Sequence, residues 1–98
     1  MKATSKSTSD TSFHDVTIRE TPANMIKFIG EPHCIGGDKT NMEWEMETED
    51  GIVFTIYDWK NYGGLNRNMP VDWHIGGHSE EDTLKAREEL VNYIFNLS

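Results

Sequence analysis

Glu43, Glu45 and Glu47 alternate with Met42, Trp44 and Met46. Successive side chains of an extended strand point to opposite faces, so this run writes one apolar face and one face of three carboxylates. From residue 41 to residue 59 the chain holds four Glu and two Asp, and neither Lys nor Arg. Tyr57 and Trp59 fall on the carboxylate side of the next apolar run, and Asp72 and His74 do the same one run later. Such a face is suited to gripping a partner: acids meet basic side chains and rings supply buried anchors. A pair such as Glu45 and Glu47 also has the composition of a general acid and base. Neighbours of this kind are common on inert sheets, however, and no pocket that would raise a carboxyl pKa is legible. The plain alternative is a solvated face, the ordinary condition of one side of an antiparallel sheet. Large aromatics on that face weigh the other way.

The remaining spacings are less specific. His74 and His78 stand four apart, as in some metal sites, with Asp72 and His33 as conceivable further ligands. Gly76 and Gly77 intervene, and no second motif accompanies them, so no metal and no cofactor are expected. Cys34 adjoins His33, but adjacent strand residues point opposite ways, and a small buried thiol fits better than a paired nucleophile. Gly76-Gly77-His78-Ser79 ahead of a helix has amides of the kind that hold phosphate, with Lys60 or Arg67 as possible cations. Glu80, Glu81 and Asp82 already occupy that positive end, which favours a plain strand-to-helix turn. No reaction is named by these residues, and the chain reads as a binding protein rather than an enzyme.

The elements that must position this face are strands and two helices. Asp15-Val-Thr-Ile-Arg19 alternates as a short edge strand. Thr21 and Pro22 read as N-cap and first residue of a short helix, whose apolar side is Met25, Ile26, Phe28 and Ile29, ended by Gly30. Residues 33–35 form a possible short strand before a turn at 36–39. Strands are expected at about 40–49 and 52–59, a hairpin whose loop length is set by burial. A two-residue Asp50-Gly51 turn would pair Glu45 with Ile56 and Glu47 with Phe54. A three-residue Glu49-Asp50-Gly51 loop pairs Trp44 with Ile56 and Met46 with Phe54, and only this register sorts charge from grease. Residues 61–69 are loop. Val71, Trp73 and Ile75 point inward from a third strong strand that Gly76-Gly77 breaks. Ser79 caps a final helix with Leu84, Leu90, Val91, Ile94 and Leu97 as its apolar stripe and Ala86 as a small neighbour. The expected fold is α+β, a three- to five-stranded antiparallel sheet with the C-terminal helix packed on one face and the short helix beside it.

Nine Lys and Arg against seventeen Asp and Glu give a net charge of −8. That field repels phosphate backbones and anionic membranes, which speaks against direct nucleic-acid or membrane binding and for a basic protein partner. The single cysteine excludes an internal disulfide and fits a reducing cytosol. No apolar run approaches the roughly 20 residues that span a bilayer, so a cytoplasmic protein is expected. Residues 1–14 are polar and low in complexity and read as a disordered tail, with 15–98 as the single domain. A fold of about 85 residues is marginal alone, which keeps homo-oligomerisation open.

Phe28-Ile-Gly-Glu-Pro32, Phe54-Thr-Ile-Tyr-Asp-Trp-Lys60 and Trp73-His-Ile-Gly-Gly-His78 together resemble a group of small tailed-phage proteins without assigned function, over about residues 22 to 95. The resemblance carries no catalytic residues. What it implies is setting: small acidic phage proteins often bind and block a host defence factor in the host cytoplasm. The leading expectation is an inhibitor of a host defence or nucleic-acid-handling protein. Its contact face would be Glu43, Glu45, Glu47, Tyr57, Trp59, Tyr62, Asp72 and His74. The alternatives are an oligomeric sponge for a phosphorylated nucleotide signal, held by Lys60, Arg67, Gly76, Gly77 and Ser79, and a homo-oligomeric structural component.

Overall fold

The hairpin sets the register of the sheet. In the computed structural model, which describes residues 1–35, 40–61 and 64–97, β4 (Met42–Glu47) pairs with β5 (Val53–Tyr57). Trp44 lies opposite Ile56 and Met46 opposite Phe54, while Glu43 faces Tyr57 and Glu45 faces Thr55. The amide of Thr48 donates to Ile52 O at 2.9 Å, that of Gly51 donates to Thr48 O at 2.9 Å, and Gly51 has φ 84°. The loop is Glu49-Asp50-Gly51, the length that keeps the glutamates out of the core. The turn expected at 36–39, Tyr62 and the side chain of Cys34 lie outside the described residues.

β6 (Val71–Gly77) runs beside β5, and β2 (Ser12–Glu20) beside β6. On the other side of β4, β1 (Lys2–Ala3) and β3 (Cys34–Ile35) lie end to end along one edge. All these pairings are antiparallel, in the order β1-β4-β5-β6-β2 with β3 on β4. Helix α2 (Glu80–Leu97) crosses the face that carries Trp44, Phe54, Ile56, Trp73 and Ile75, all fully buried, and contacts β2, β5 and β6. The fold is α+β.

Helix α1 (Pro22–Ile29) begins as its sequence requires. Thr21 Oγ1 accepts from the Asn24 amide, and Gly30 ends the helix at φ 86°. Two core indoles then hold its ends. Trp73 Nε1 donates to Glu20 O at 2.9 Å, just before the helix, and Trp44 Nε1 donates to Gly30 O at 2.9 Å, just after it. The rings meet edge to face, with centroids 5.3 Å apart. Each buried indole N–H thereby finds an acceptor, and an eight-residue helix that could not persist alone is fixed at both termini.

Three expectations are corrected. Residues 1–14 are not a free tail: Lys2 and Ala3 pair with Glu47 and Met46, the Thr4 amide donates to Glu45 O at 3.0 Å, and β2 already begins at Ser12. Composition alone suggested disorder, but these residues carry the charge that the acidic sheet lacks. Gly76 and Gly77 do not break β6; both are buried within it. A Cβ on Gly77 would lie 2.5 Å from Thr83 Oγ1, and one on Gly76 2.7 Å from Thr55 Oγ1, so these glycines serve close packing. Helix α2 buries Thr83, Ala86 and Leu90, leaving Leu84, Val91 and Leu97 exposed. Small residues face the sheet because the helix lies close to it at Gly77.

Candidate functional site

Register brings Glu43, Tyr57, His74 and Thr17 into one row across four strands on the face opposite α2. Around His74 the rings gather. Phe13 stacks on it at 4.1 Å, Tyr57 lies at 5.4 Å, and Trp59 at 6.3 Å with planes 27° apart. Tyr57 and Trp59 meet edge to face at 6.1 Å, and Lys60 Nζ stands 5.8 Å over the Trp59 ring. Trp59 is 42% exposed and Phe13 36%. Phe13 was missed by sequence reasoning. The register of β2 slips between Phe13 and Thr17, where Asp15 takes φ 61°, and the slip draws Phe13 opposite Gly76, beside His74. Nothing in the sequence marks that bulge.

Beside the rings is an open cleft of about 320 Å³ lined by Thr8, Thr11, Ser12, Thr40, Glu43, Thr55, Tyr57 and Trp59. Its walls are hydroxyls, one carboxylate and two aromatic faces. The N-terminal segment supplies one side of it, so the face is narrower than a bare sheet.

The three glutamates differ in kind. Glu47 is buried: Lys6 Nζ lies 3.5 Å from its carboxylate, and a hydrogen bond from Thr4, with Lys6 in support, holds its pKa below the ordinary value. Glu45 is half-buried; its amide donates to His33 Nδ1 at 2.8 Å and its carbonyl takes the Thr4 amide, so both sides of the β4 edge are met there. Glu43 is half-buried against the cleft, and burial first, then the Glu45 charge, push its pKa up. Among the described residues no donor reaches the Glu43 carboxylate. Burial, with the charge of Glu43 in support, also raises the Tyr57 phenol. Burial lowers His74, against the opposing pull of Asp72 and Asp58. A half-desolvated carboxylate beside an aromatic platform is a place where an incoming cation gains most.

Asp58 underlies the rim. It is fully buried, and its carboxylate accepts from the Asn41 amide at 2.7 Å, Asn41 Nδ2 at 2.8 Å, the Met42 amide at 2.9 Å and Asn61 Nδ2 at 3.3 Å. This knot ties the start of β4 to the end of β5 and fixes where Trp59 emerges. A signal was available: Asp58 holds an inward position in an apolar run, with Asn61 three residues on and Asn41 just before the partner strand.

The other expected residues are dispersed. Asp72 is exposed and paired with Arg19 at 3.0 Å. Lys60 stands over Trp59, whereas Arg67 accepts the Ala23 amide on its carbonyl at the start of α1. Gly76 and Gly77 pack against Thr55 and Thr83, and Ser79 caps α2, its Oγ accepting from the Asp82 amide at 3.1 Å. These five do not form one phosphate pocket, because their neighbours are three separate parts of the fold. Among the described residues no three His, Cys, Asp or Glu side chains converge as a metal site. None of their helices is long and apolar enough to cross a membrane.

Fold and face together define an α+β domain with an acidic, ring-lined cleft on the open side of its sheet. Comparison of the chain with protein-family models, with curated proteins and with solved structures finds no match.

Proposed function

We propose that this chain is a non-enzymatic binding protein that seats a basic surface of a partner protein on Glu43, Glu45, Tyr57, Trp59 and His74. The observation that supports the reading is the contrast between Glu47 and Glu43. The first is answered from within by Lys6, while the second is held half-buried at the mouth of a cleft between Tyr57 and Trp59. A lysine or arginine entering there would meet a poorly solvated carboxylate and an aromatic face together, an arrangement typical of interface anchors. The net charge of −8 would steer such a partner to the surface. The resemblance to small tailed-phage proteins supplies the setting, a host defence or nucleic-acid-handling protein whose groove normally holds phosphate.

The test is retention of the partner captured from host lysate by the intact chain. Glu43→Lys and Trp59→Ala should each weaken retention more than about tenfold, the loss of roughly 1.4 kcal/mol or more expected of an anchor residue. Circular dichroism of both variants should match the parent. Undiminished retention by either folded variant would remove the cleft from the interface.

A further inference from the structure

The N-terminal segment occupies the acidic face in the manner a partner would have to. Lys2 lies opposite Glu47 across the strand pair, and Lys6 Nζ reaches both the Glu47 carboxylate at 3.5 Å and Gly51 O at 3.3 Å. Lys2, Thr4 and Lys6 are spaced two apart, the period of the Glu43, Glu45 and Glu47 row. Beyond Thr4 the chain leaves the edge of β4 and passes over the face, with Thr8 and Thr11 beside Glu43, Tyr57 and Trp59. We propose that this path is the binding route itself: an extended basic segment of a partner adds as a strand to the edge of β4 at Glu45–Glu47. It then crosses the cleft, displacing the chain's own first strand. The inference rests on the binding reading above and specifies its partner chemistry and mode.

Two features make the exchange feasible. The resident strand is short: it forms two residue pairs and one further backbone hydrogen bond, Lys2, Ala3 and Lys6 are exposed, and it is anchored at Met1, which packs against the core with its amino group 3.5 Å from the Glu89 carboxylate. Such short, solvent-exposed pairings open most readily. The edge it leaves would present unpaired amide and carbonyl groups between two glutamates, a template for strand addition by a chain of alternating basic residues. The slot is bounded, because the Glu45 amide is taken by His33 Nδ1 and β3 covers the edge beyond. An incoming segment must therefore turn over the face after about three residues, as the resident one does. Under this scheme the resident segment is a built-in competitor, and apparent affinity is reduced by the fraction of time it is docked.

The probe is a capped ten-residue peptide of alternating lysine and threonine, titrated against the full chain. Peptide anisotropy reports affinity, and the amide resonances of Ala3, Thr4 and Glu45 report place. Thr4→Pro removes the amide that bonds Glu45 O without altering charge and should tighten peptide binding by roughly three- to tenfold. Lys6→Ala should act in the same direction. The same peptide N-methylated at every residue keeps its charge but has no backbone N–H left to donate to the strand edge, and should bind at least about tenfold more weakly. Equal affinity for the plain and methylated peptides would overturn strand addition, as would absence of binding or no tightening in both variants. If the peptide arm fails while Glu43→Lys still abolishes partner retention, the face is the interface and the strand route is not.

Discussion

Glu43 and Glu47 lie four residues apart on one strand face, yet their surroundings drive their protonation in opposite directions. Burial, then the Glu45 charge, raises Glu43 above its ordinary 4.5; the hydrogen bond from Thr4 and the nearby Lys6 lower Glu47 below the same value. A carboxyl with a raised folded pKa binds more protons in the native state. It therefore removes stability as pH climbs through 4.5 toward the raised value, and the deficit persists above that. A lowered one does the reverse: its contribution is present above 4.5 and disappears as pH falls through the native value. Glu43→Gln should accordingly raise the midpoint of thermal unfolding at pH 7, and the gain should vanish well below pH 4.5. Glu47→Gln should lower it at pH 7, with the difference closing in acid. Unfolding curves of the three chains at both pH values decide this, and gains or losses of one sign for both variants would show that their environments are not as described. A destabilising carboxylate retained at a cleft mouth is the kind of residue that function keeps in place.

The elements show which physical signals a sequence carries. Period-two alternation in residues 42–47, 53–57 and 71–75 marks the hairpin and the third strand, and the burial requirement selects the three-residue loop over the two-residue one, since a one-residue slip sets Glu45 opposite Ile56. Of the stripe expected on α2, Leu90, Ile94 and Ala86 face the sheet, whereas Leu84, Val91 and Leu97 do not. The helix meets the sheet with Thr83, Ala86, Leu90 and Ile94, at intervals of three, four and four, while Leu84 and Phe95 look outward. Thr83 is the reason small residues win. Its hydroxyl donates to Ser79 O at 2.9 Å and takes His14 Nδ1 at 2.8 Å as its second partner, in a space that only Gly77 leaves open. Gly77→Ala would press a methyl 2.5 Å from that oxygen and 3.1 Å from the Thr83 amide nitrogen, which is backbone and cannot swing aside. The expected cost is about 1–3 kcal/mol, a fall of roughly 4–8 °C in melting temperature per kcal/mol for a domain of this size. Adding Thr83→Ala to the same chain should return part of the loss, because the two changes share one contact. Additive losses would place the clash elsewhere. The bulge at Asp15 and the arrival of Phe13 beside His74 had no sequence signal, since both depend on how two distant strands slide past each other.

At the scale of the whole molecule, like charge is spread over a small fold and only part of it is answered. Of the ion pairs, Arg19 with Asp72 and Lys85 with Glu81 are largely exposed, and such pairs contribute about 0–1 kcal/mol each. With a net charge of −8, mutual repulsion of the acids is expected to outweigh what those pairs return. Among the described residues the N-terminal segment differs from those pairs, because its lysines lie against the acidic row itself and add to the strand pairing and the packing of Met1 that dock it. Salt separates the two effects. Raising sodium chloride from about 0.01 M to about 0.5 M shortens the screening length from about 30 Å to under about 10 Å. Repulsion across the sheet is then relieved, and the melting temperature should rise by a few degrees, equivalent to less than about 1 kcal/mol. Over the same range the attraction between Lys2, Lys6 and the glutamates weakens, so the Thr4 amide, which bonds Glu45 O, should exchange its hydrogen faster while the core strands become better protected. Calorimetry and hydrogen exchange on the same samples read the two trends. Opposite slopes are the signature of a self-repelling domain wearing a detachable basic strap. A melting temperature that falls with salt, or a Thr4 amide that slows with it, would mean that the strap is bound by something other than charge.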